Sequence, residues 1–245
     1  MSNPQFTVVV PAAGVGKRMQ ANQPKQYLLL NGKTILEHTI ENLLAHPSIS
    51  RVVVSISEGD EYFDALPLAK MDNVIRVAGG KERVDSVLSG LQYLTQESLA
   101  TGSNTDENIW VLVHDAARPC LTHADVTQLI EQCLAANNGG ILASPVRDTM
   151  KRAMVTDSVN CIDHTVDRNH LWHALTPQMF PLFELESALS DALANQAEIT
   201  DEASAMERLG QQPLLVQGRS DNIKITQPED LALAAFFLSQ ISQIH

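Results

Sequence analysis

Short runs of β-branched residues at 7–10, 51–56, 73–77, 109–113 and 140–144 alternate with amphipathic stretches through the first 144 residues. Runs apolar at every position read as strands buried on both faces, and the amphipathic stretches between them read as helices. Thr34 followed by Glu37 is a capping box, with Ile35, Leu36, Ile40, Leu43 and Leu44 at helical spacing behind it. Residues 82–95 carry Val84, Val87, Leu88, Leu91 and Leu94 on one face, and residues 123–136 carry Val126, Leu129, Ile130 and Cys133. Such alternation predicts an α/β fold with a mostly parallel sheet covered on both faces, and a ligand site at the carboxyl ends of its strands. The chain has 245 residues, 44% of them hydrophobic, which suffices for one large core.

The rhythm changes at Pro145. Residues 145–180 alternate polar and apolar positions around a turn-like "TDSVN", which predicts a β-hairpin projecting from the main sheet. Helices at 183–195, 201–209 and 228–239 and a strand at 213–217 complete the pattern, and the polar stretch 95–108 reads as a surface loop.

A formal charge of −12 argues against a general nucleic-acid or anionic-membrane binder, so any anionic ligand must meet cations gathered locally. Residues 1–6 carry no basic region and the run at 8–10 is far too short to span a membrane, so the expected location is the cytoplasm. Cys120, Cys133 and Cys161 have no C-x-x-C spacing, which fits reduced thiols better than a disulfide frame or zinc site.

The loop "PAAGVGKRM" after the first strand is neither of the familiar phosphate loops. Met19 stands where the dinucleotide fingerprint needs its third glycine, and Gly14 and Gly16 lie too close together for a P-loop. What remains is a turn whose backbone N–H groups can face an anion, followed by Lys17, Arg18 and Lys25; taken alone, the loop reads more readily as an ordinary turn with solvated lysines. In "AGGKERVDSV", Gly79 and Gly80 precede a helix with Ser86 in its first turn, where a base or ribose could sit. In "VLVHDAARP", Asp115 lies just past a strand, placed to hold Mg²⁺ or a substrate hydroxyl, while Arg118 either contacts ligand or pairs with that carboxylate. Arg168 alone would read as an edge charge on the hairpin, and Lys224 as a partner of Asp221.

"PAAGVGKRM…PKQYL", "GGKERVDSV", "VHDAARP", "PVRDTMKR", "TVDRNHLWHALTPQ", "ITDEASAME" and "GRSDNIKITQPEDL", in this order from Val8 to Leu231, resemble the 2-C-methyl-D-erythritol 4-phosphate cytidylyltransferases of the non-mevalonate isoprenoid pathway. The resemblance implies one nucleotidyltransferase domain over 1–245, three-layer and Rossmann-like, with a β-arm at about 145–172 that makes a homodimer. It implies transfer of the cytidylyl group of CTP to 2-C-methyl-D-erythritol 4-phosphate, with Mg²⁺ required. Ala12, Ala13, Gly14, Gly16, Gly80 and Ser86 would then surround CTP, and Arg18 and Lys25 would grip its triphosphate. Asp115 would serve ribose, acceptor and metal. Thr149, Arg168 and Thr176 would contact the acceptor from the partner's arm, joined by Thr200, and Lys224 would reach the centre from the C-terminal region. Lys81 departs from the acidic residue of some relatives. A ribitol 5-phosphate cytidylyltransferase and a non-catalytic nucleotide-binding module are the alternative functions, while the missing third glycine disfavours a nicotinamide-dependent oxidoreductase.

Overall fold

The computed structural model describes residues 4–14, 19, 23–102, 108–154 and 159–241. In chain order its elements are β1 (Phe6–Pro11), a small ribbon of β2 (Leu29–Leu30) and β3 (Lys33–Thr34), α1 (Ile35–Leu44), β4 (Ile49–Ile56), β5 (Val74–Ala78), α2 (Arg83–Ala100) and β6 (Trp110–Val113). There follow α3 (His123–Ala136), β7 (Gly140–Pro145), β8 (Met150–Met154), β9 (Cys161–Val166), β10 (Trp172–Pro181), α4 (Leu182–Ala194), α5 (Glu202–Arg208), β11 (Leu214–Gln217) and α6 (Glu229–Ile241).

Seven strands form the main sheet in the order β11-β7-β10-β6-β1-β4-β5. All pairings are parallel except those of β10, which runs antiparallel between β6 and β7. Alternating side chains of each central strand point to opposite faces. Val8, Val10, Val52, Val54 and Leu112 therefore pack with Leu36 and Ile40 of α1 and Val126 and Leu129 of α3. Val9, Val53, Val111 and Val113 pack on the other face with Val87 and Leu91 of α2 and Leu185 and Leu189 of α4. That double burial gives the three layers. Thr34 caps α1 as expected, accepting from the Glu37 N–H at 3.1 Å while the Glu37 carboxylate takes the Thr34 N–H at 2.7 Å.

Two sequence expectations need correction. The projecting hairpin is only β8 paired with β9; residues 155–158 of its expected turn lie outside the described residues. The second half of the 145–180 stretch is instead β10, a central strand whose residues 175–180 are buried. Its alternation of polar and apolar residues misleads because its polar members, Thr176 and Gln178, are buried and hydrogen-bonded rather than solvated. The stretch 95–108 is not all loop either. Helix α2 continues through Ala100, and Glu97 on that extra turn pairs with Arg51 at 2.5 Å, tying the helix to β4.

Candidate active site

The carboxyl ends of β1, β5 and β6 converge with the starts of α2 and α5, as a doubly wound sheet requires of its ligand site. Two cavities, of about 150 and 220 Å³, open there and share Arg83, Asp115 and Lys224 along their common wall. Ala12, Ala13, Gly14, Lys25, Lys81 and Ser86 line the first. Arg118, Thr176, Gln178 and Thr200 line the second. Of the residues expected around a nucleotide, Ala12, Ala13, Gly14, Lys25 and Ser86 thus fall on one side of one carboxylate, and of those expected around an acceptor, Thr176 and Thr200 fall on the other; Gly80 lines neither cavity.

Asp115 is that carboxylate, with its side chain only 7% exposed. Its Oδ1 accepts from Arg83 Nε at 2.9 Å, and its Oδ2 accepts from Lys224 Nζ at 3.0 Å and Arg118 Nε at 3.2 Å. Burial alone would raise its pKa, but the attraction of Arg83, Lys224 and Arg118 overcomes that and holds the carboxyl well below the usual range. Arg83 also makes a two-pronged pair with Glu202, through Nη1 at 2.6 Å and Nη2 at 3.0 Å. Three cations therefore face two carboxylates, leaving a positive excess at the floor of the site in a chain of charge −12.

A second network fixes the backbone beneath Asp115. The Asp115 N–H donates to Thr176 Oγ1 at 3.1 Å, and that hydroxyl lies 3.0 Å from His114 Nδ1. His114 Nε2 lies 3.1 Å from the Arg118 carbonyl, which can only accept, so Nε2 carries the proton and Nδ1 accepts from Thr176. Burial lowers the His114 pKa to about 4, keeping the ring neutral for this role. Arg118 Nη1 donates to the Asn222 carbonyl at 2.7 Å, and Asn222 Nδ2 donates to the Thr176 carbonyl at 2.8 Å. Segment 222–225 is thereby fastened beside Asp115, which brings in Lys224 from far along the chain. Thr176 can reach this network because β10 breaks register with β7 between Ala174 and Gln178.

On the nucleotide side, Gln26 Nε2 donates to the Ala12 carbonyl at 2.5 Å and Lys25 Nζ donates to the Ile225 carbonyl at 2.8 Å. Gly80 donates its N–H to Ser86 Oγ at 3.1 Å; a Cβ on Gly80 would stand 2.1 Å from that of Asp85, so only glycine fits against the start of α2.

Some expected residues are not brought to these cavities. Gly16 and Arg18 lie outside the described residues. Thr149 and Arg168 are exposed beside β8 and β9 and line neither cavity. Thr176, expected on the arm and serving a partner, instead belongs to β10 and to this chain's own site. Arg118 takes the pairing role left open for it, and Lys224 pairs with Asp115, not Asp221, which Arg219 holds. Among the described residues no group of three or more His, Cys, Asp or Glu side chains could cage a metal ion, and both oxygens of Asp115 already accept from cations.

Sequence motifs do not single out Arg83 or Glu202. A usable signal exists for Arg83: a cation at the first residue of a helix opposes the helix dipole and needs a nearby anion to explain it. Glu202 gives none, because an acidic residue in a first turn is ordinary.

A family model described as 2-C-methyl-D-erythritol 4-phosphate cytidylyltransferase (IspD) matches residues 6–240. The protein of that name from Vibrio parahaemolyticus is 62% identical over 232 residues, covering 95% of this chain and 94% of its own length. The one from Vibrio cholerae is 62% identical over 235 residues, with 96% and 97% covered. A crystal structure of a 4-diphosphocytidyl-2C-methyl-D-erythritol synthase superposes with a TM-score of 0.80 at 38% identity, over 96% of this chain and 99% of that one. The cytidylyltransferase of Thermus thermophilus gives 0.74 at 28% identity, over 96% and 99%.

Proposed function

Because this chain belongs to the 2-C-methyl-D-erythritol 4-phosphate cytidylyltransferase family, we propose that the two cavities meeting at Asp115 are its CTP and acceptor sites. The enzyme transfers the cytidylyl group of CTP to 2-C-methyl-D-erythritol 4-phosphate, releasing pyrophosphate, in isoprenoid precursor biosynthesis. The shared wall of Arg83, Asp115 and Lys224 carries this reading, since a transfer between two bound anions needs two compartments with cations at their junction.

The acceptor is a phosphate monoester, mostly dianionic at neutral pH because its second pKa is near ~6, so it needs no general base. The obstacle is repulsion: two like charges ~4 Å apart cost about 4 kcal/mol at an effective dielectric of ~20, and a dianion must approach a triphosphate. Lys25 and Arg18 would neutralise the triphosphate and the growing charge on pyrophosphate. Lys224, on the shared wall, would hold the incoming phosphate in line with the α-phosphorus. Asp115 keeps Lys224 and Arg118 in place, and Ser86, Ala12, Ala13 and Gly14 shape the nucleoside side, with Gly80 hydrogen-bonded to Ser86 beside them. Thr176 and Thr200 face the acceptor. Mg²⁺ would be held mainly by the phosphates of CTP, and Asp115, whose oxygens already accept from Arg83, Lys224 and Arg118, is the residue that would meet it through water. When bound, the ion supplies charge neutralisation to the triphosphate.

The reaction is tested by incubating the protein with CTP, Mg²⁺ and an acceptor phosphate. Pyrophosphate release with 2-C-methyl-D-erythritol 4-phosphate, and little with ribitol 5-phosphate, is expected. Release with ribitol 5-phosphate alone would make it a pentitol-phosphate enzyme, and release with neither a non-catalytic binding module.

Thr149 and Arg168 lie on an exposed hairpin, whose Met154, Val159 and Ile162 are exposed apolar residues. This supports a homodimer in which the arm of one chain delivers Thr149 and Arg168 to the acceptor site of the other. Mixing Arg168→Ala with Lys224→Ala protein should then rebuild one intact site in each mixed dimer, about a quarter of wild-type activity for random C2 pairing. A mixture no more active than its components would remove the exchange of arms. A biosynthetic enzyme in which no described helix is long and apolar enough to cross a membrane fits a cytoplasmic location.

A further inference from the structure

We propose that Glu202 is a positioning residue for the transfer: it holds the Arg83 guanidinium on Asp115 and so keeps it from closing on the phosphates of CTP. The inference rests on the functional reading above.

Glu202 is 1% exposed, and a carboxylate that deeply buried is costly unless it is fully paired. Helix α5 does not need it. Asp201 already caps that helix, accepting from the Ser204 N–H at 3.0 Å, with Ser204 Oγ taking the Asp201 N–H at 3.2 Å. The start of α5 is also fastened to β10, because Gln178 accepts from the Ala203 N–H at 2.9 Å and donates to Asp201 Oδ2 at 2.9 Å. Glu202 therefore projects from a rigid base, and both its oxygens go to Arg83.

The consequence lies in what Arg83 can still do. Its Nη1 and Nη2 are held by Glu202 and its Nε by Asp115, so a planar group is oriented along its whole edge. Yet Arg83 lines the nucleotide cavity together with Lys25 and Lys81. A guanidinium with two free N–H edges at that place would bind a triphosphate or pyrophosphate two-handedly. Tighter ground-state and product binding lowers turnover unless the transition state gains as much. Glu202 thus keeps Arg83 as a support for Asp115 and leaves the phosphates to Lys25 and Lys224.

The test is steady-state kinetics of Glu202→Gln, which removes the charge at nearly constant volume. The kcat should fall roughly tenfold while KM for CTP also falls, by about threefold or more, and pyrophosphate should inhibit more strongly by a similar factor. Partial unfolding cannot produce that combination, since losing active molecules lowers apparent kcat without tightening any ligand. Glu202→Asp keeps the charge but shortens the reach, so Arg83 is held less well; kcat and KM for CTP should fall together and pyrophosphate should inhibit more strongly, each change smaller than in Glu202→Gln. If Glu202→Gln does not fold, Glu202→Asp still decides, because wild-type kcat in that variant overturns the proposal. Glu202→Gln with unchanged kinetics, or with lower kcat but unchanged KM and pyrophosphate inhibition, would overturn it as well. A wild-type protein that releases no pyrophosphate would overturn the functional reading and this inference together, whereas an active wild type beside an unaltered variant overturns this inference alone.

Discussion

Asp115→Asn is expected to lower kcat/KM by roughly 10²–10³-fold and to destabilise the fold as well, because breaking a buried ion pair from one side costs about 3–5 kcal/mol. The side chain is 7% exposed and accepts from Arg83, Arg118 and Lys224. Asparagine keeps one oxygen for these three donors and turns an NH₂ toward the rest, so donors face donors where the carboxylate accepted. Glu202 still compensates Arg83, but Arg118 is left buried with only its backbone acceptor, the Asn222 carbonyl, to hold it. Segment 222–225 loses its ionic tie to Asp115 at the same time. Thermal melts and steady-state kinetics on one preparation measure both effects. A variant within threefold of wild type in kcat/KM would show that the carboxylate does not organise the site.

Lys224→Ala should separate the two effects. Its side chain is 37% exposed, so its pair with Asp115 is worth about 1 kcal/mol of stability or less, screened as such pairs are by solvent. Stability should barely change. Turnover should fall about 10²–10³-fold, the usual cost of losing one donor aimed at developing transition-state charge. Lys224→Arg should recover only part of the loss, since a planar fork does not replace a compact point charge on phosphate. Comparable losses of stability and activity would mean that Lys224 is a structural partner of Asp115 and nothing more.

How much of this is legible in the sequence depends on whether local pattern carries the information. Strands β1, β4, β6 and β7 are readable because burial on both faces leaves runs such as Val8, Val9 and Val10, which few other structures tolerate. Strand β5, expected as a buried strand, is instead the sheet's edge, half-buried at Val74, Ile75 and Val77 and exposed at Arg76. The capping box at Thr34 is readable for a similar reason: its whole mechanism lies within one turn. Strand β10 reads as part of the hairpin because Thr176 and Gln178 look solvent-facing until their partners, the buried His114 and Asp115 and the half-buried Asp201, are known. Those partners lie far along the chain, and no short window of sequence contains them.

The same division runs through the site. Asp115 is found from its place after a buried strand, and Arg118 and Lys224 stand out as cations, but nothing local says that both will share one carboxylate. The Arg83–Glu202 pair escapes notice because it joins the first residues of two helices 119 positions apart. Arg168 poses the opposite problem: the family motif marks it, while within one chain it lies exposed on the arm, away from both cavities.

The most direct measurement is a crystal structure of the protein with CTP and Mg²⁺. The expected density places cytosine and ribose by Gly80 and Ser86 and the triphosphate against Lys25, with the α-phosphorus facing Lys224 across Asp115. A nucleotide seated elsewhere, for example in the polar cavity of Arg147 and Arg219, would contradict the assignment of the Asp115 junction as the place of cytidylyl transfer.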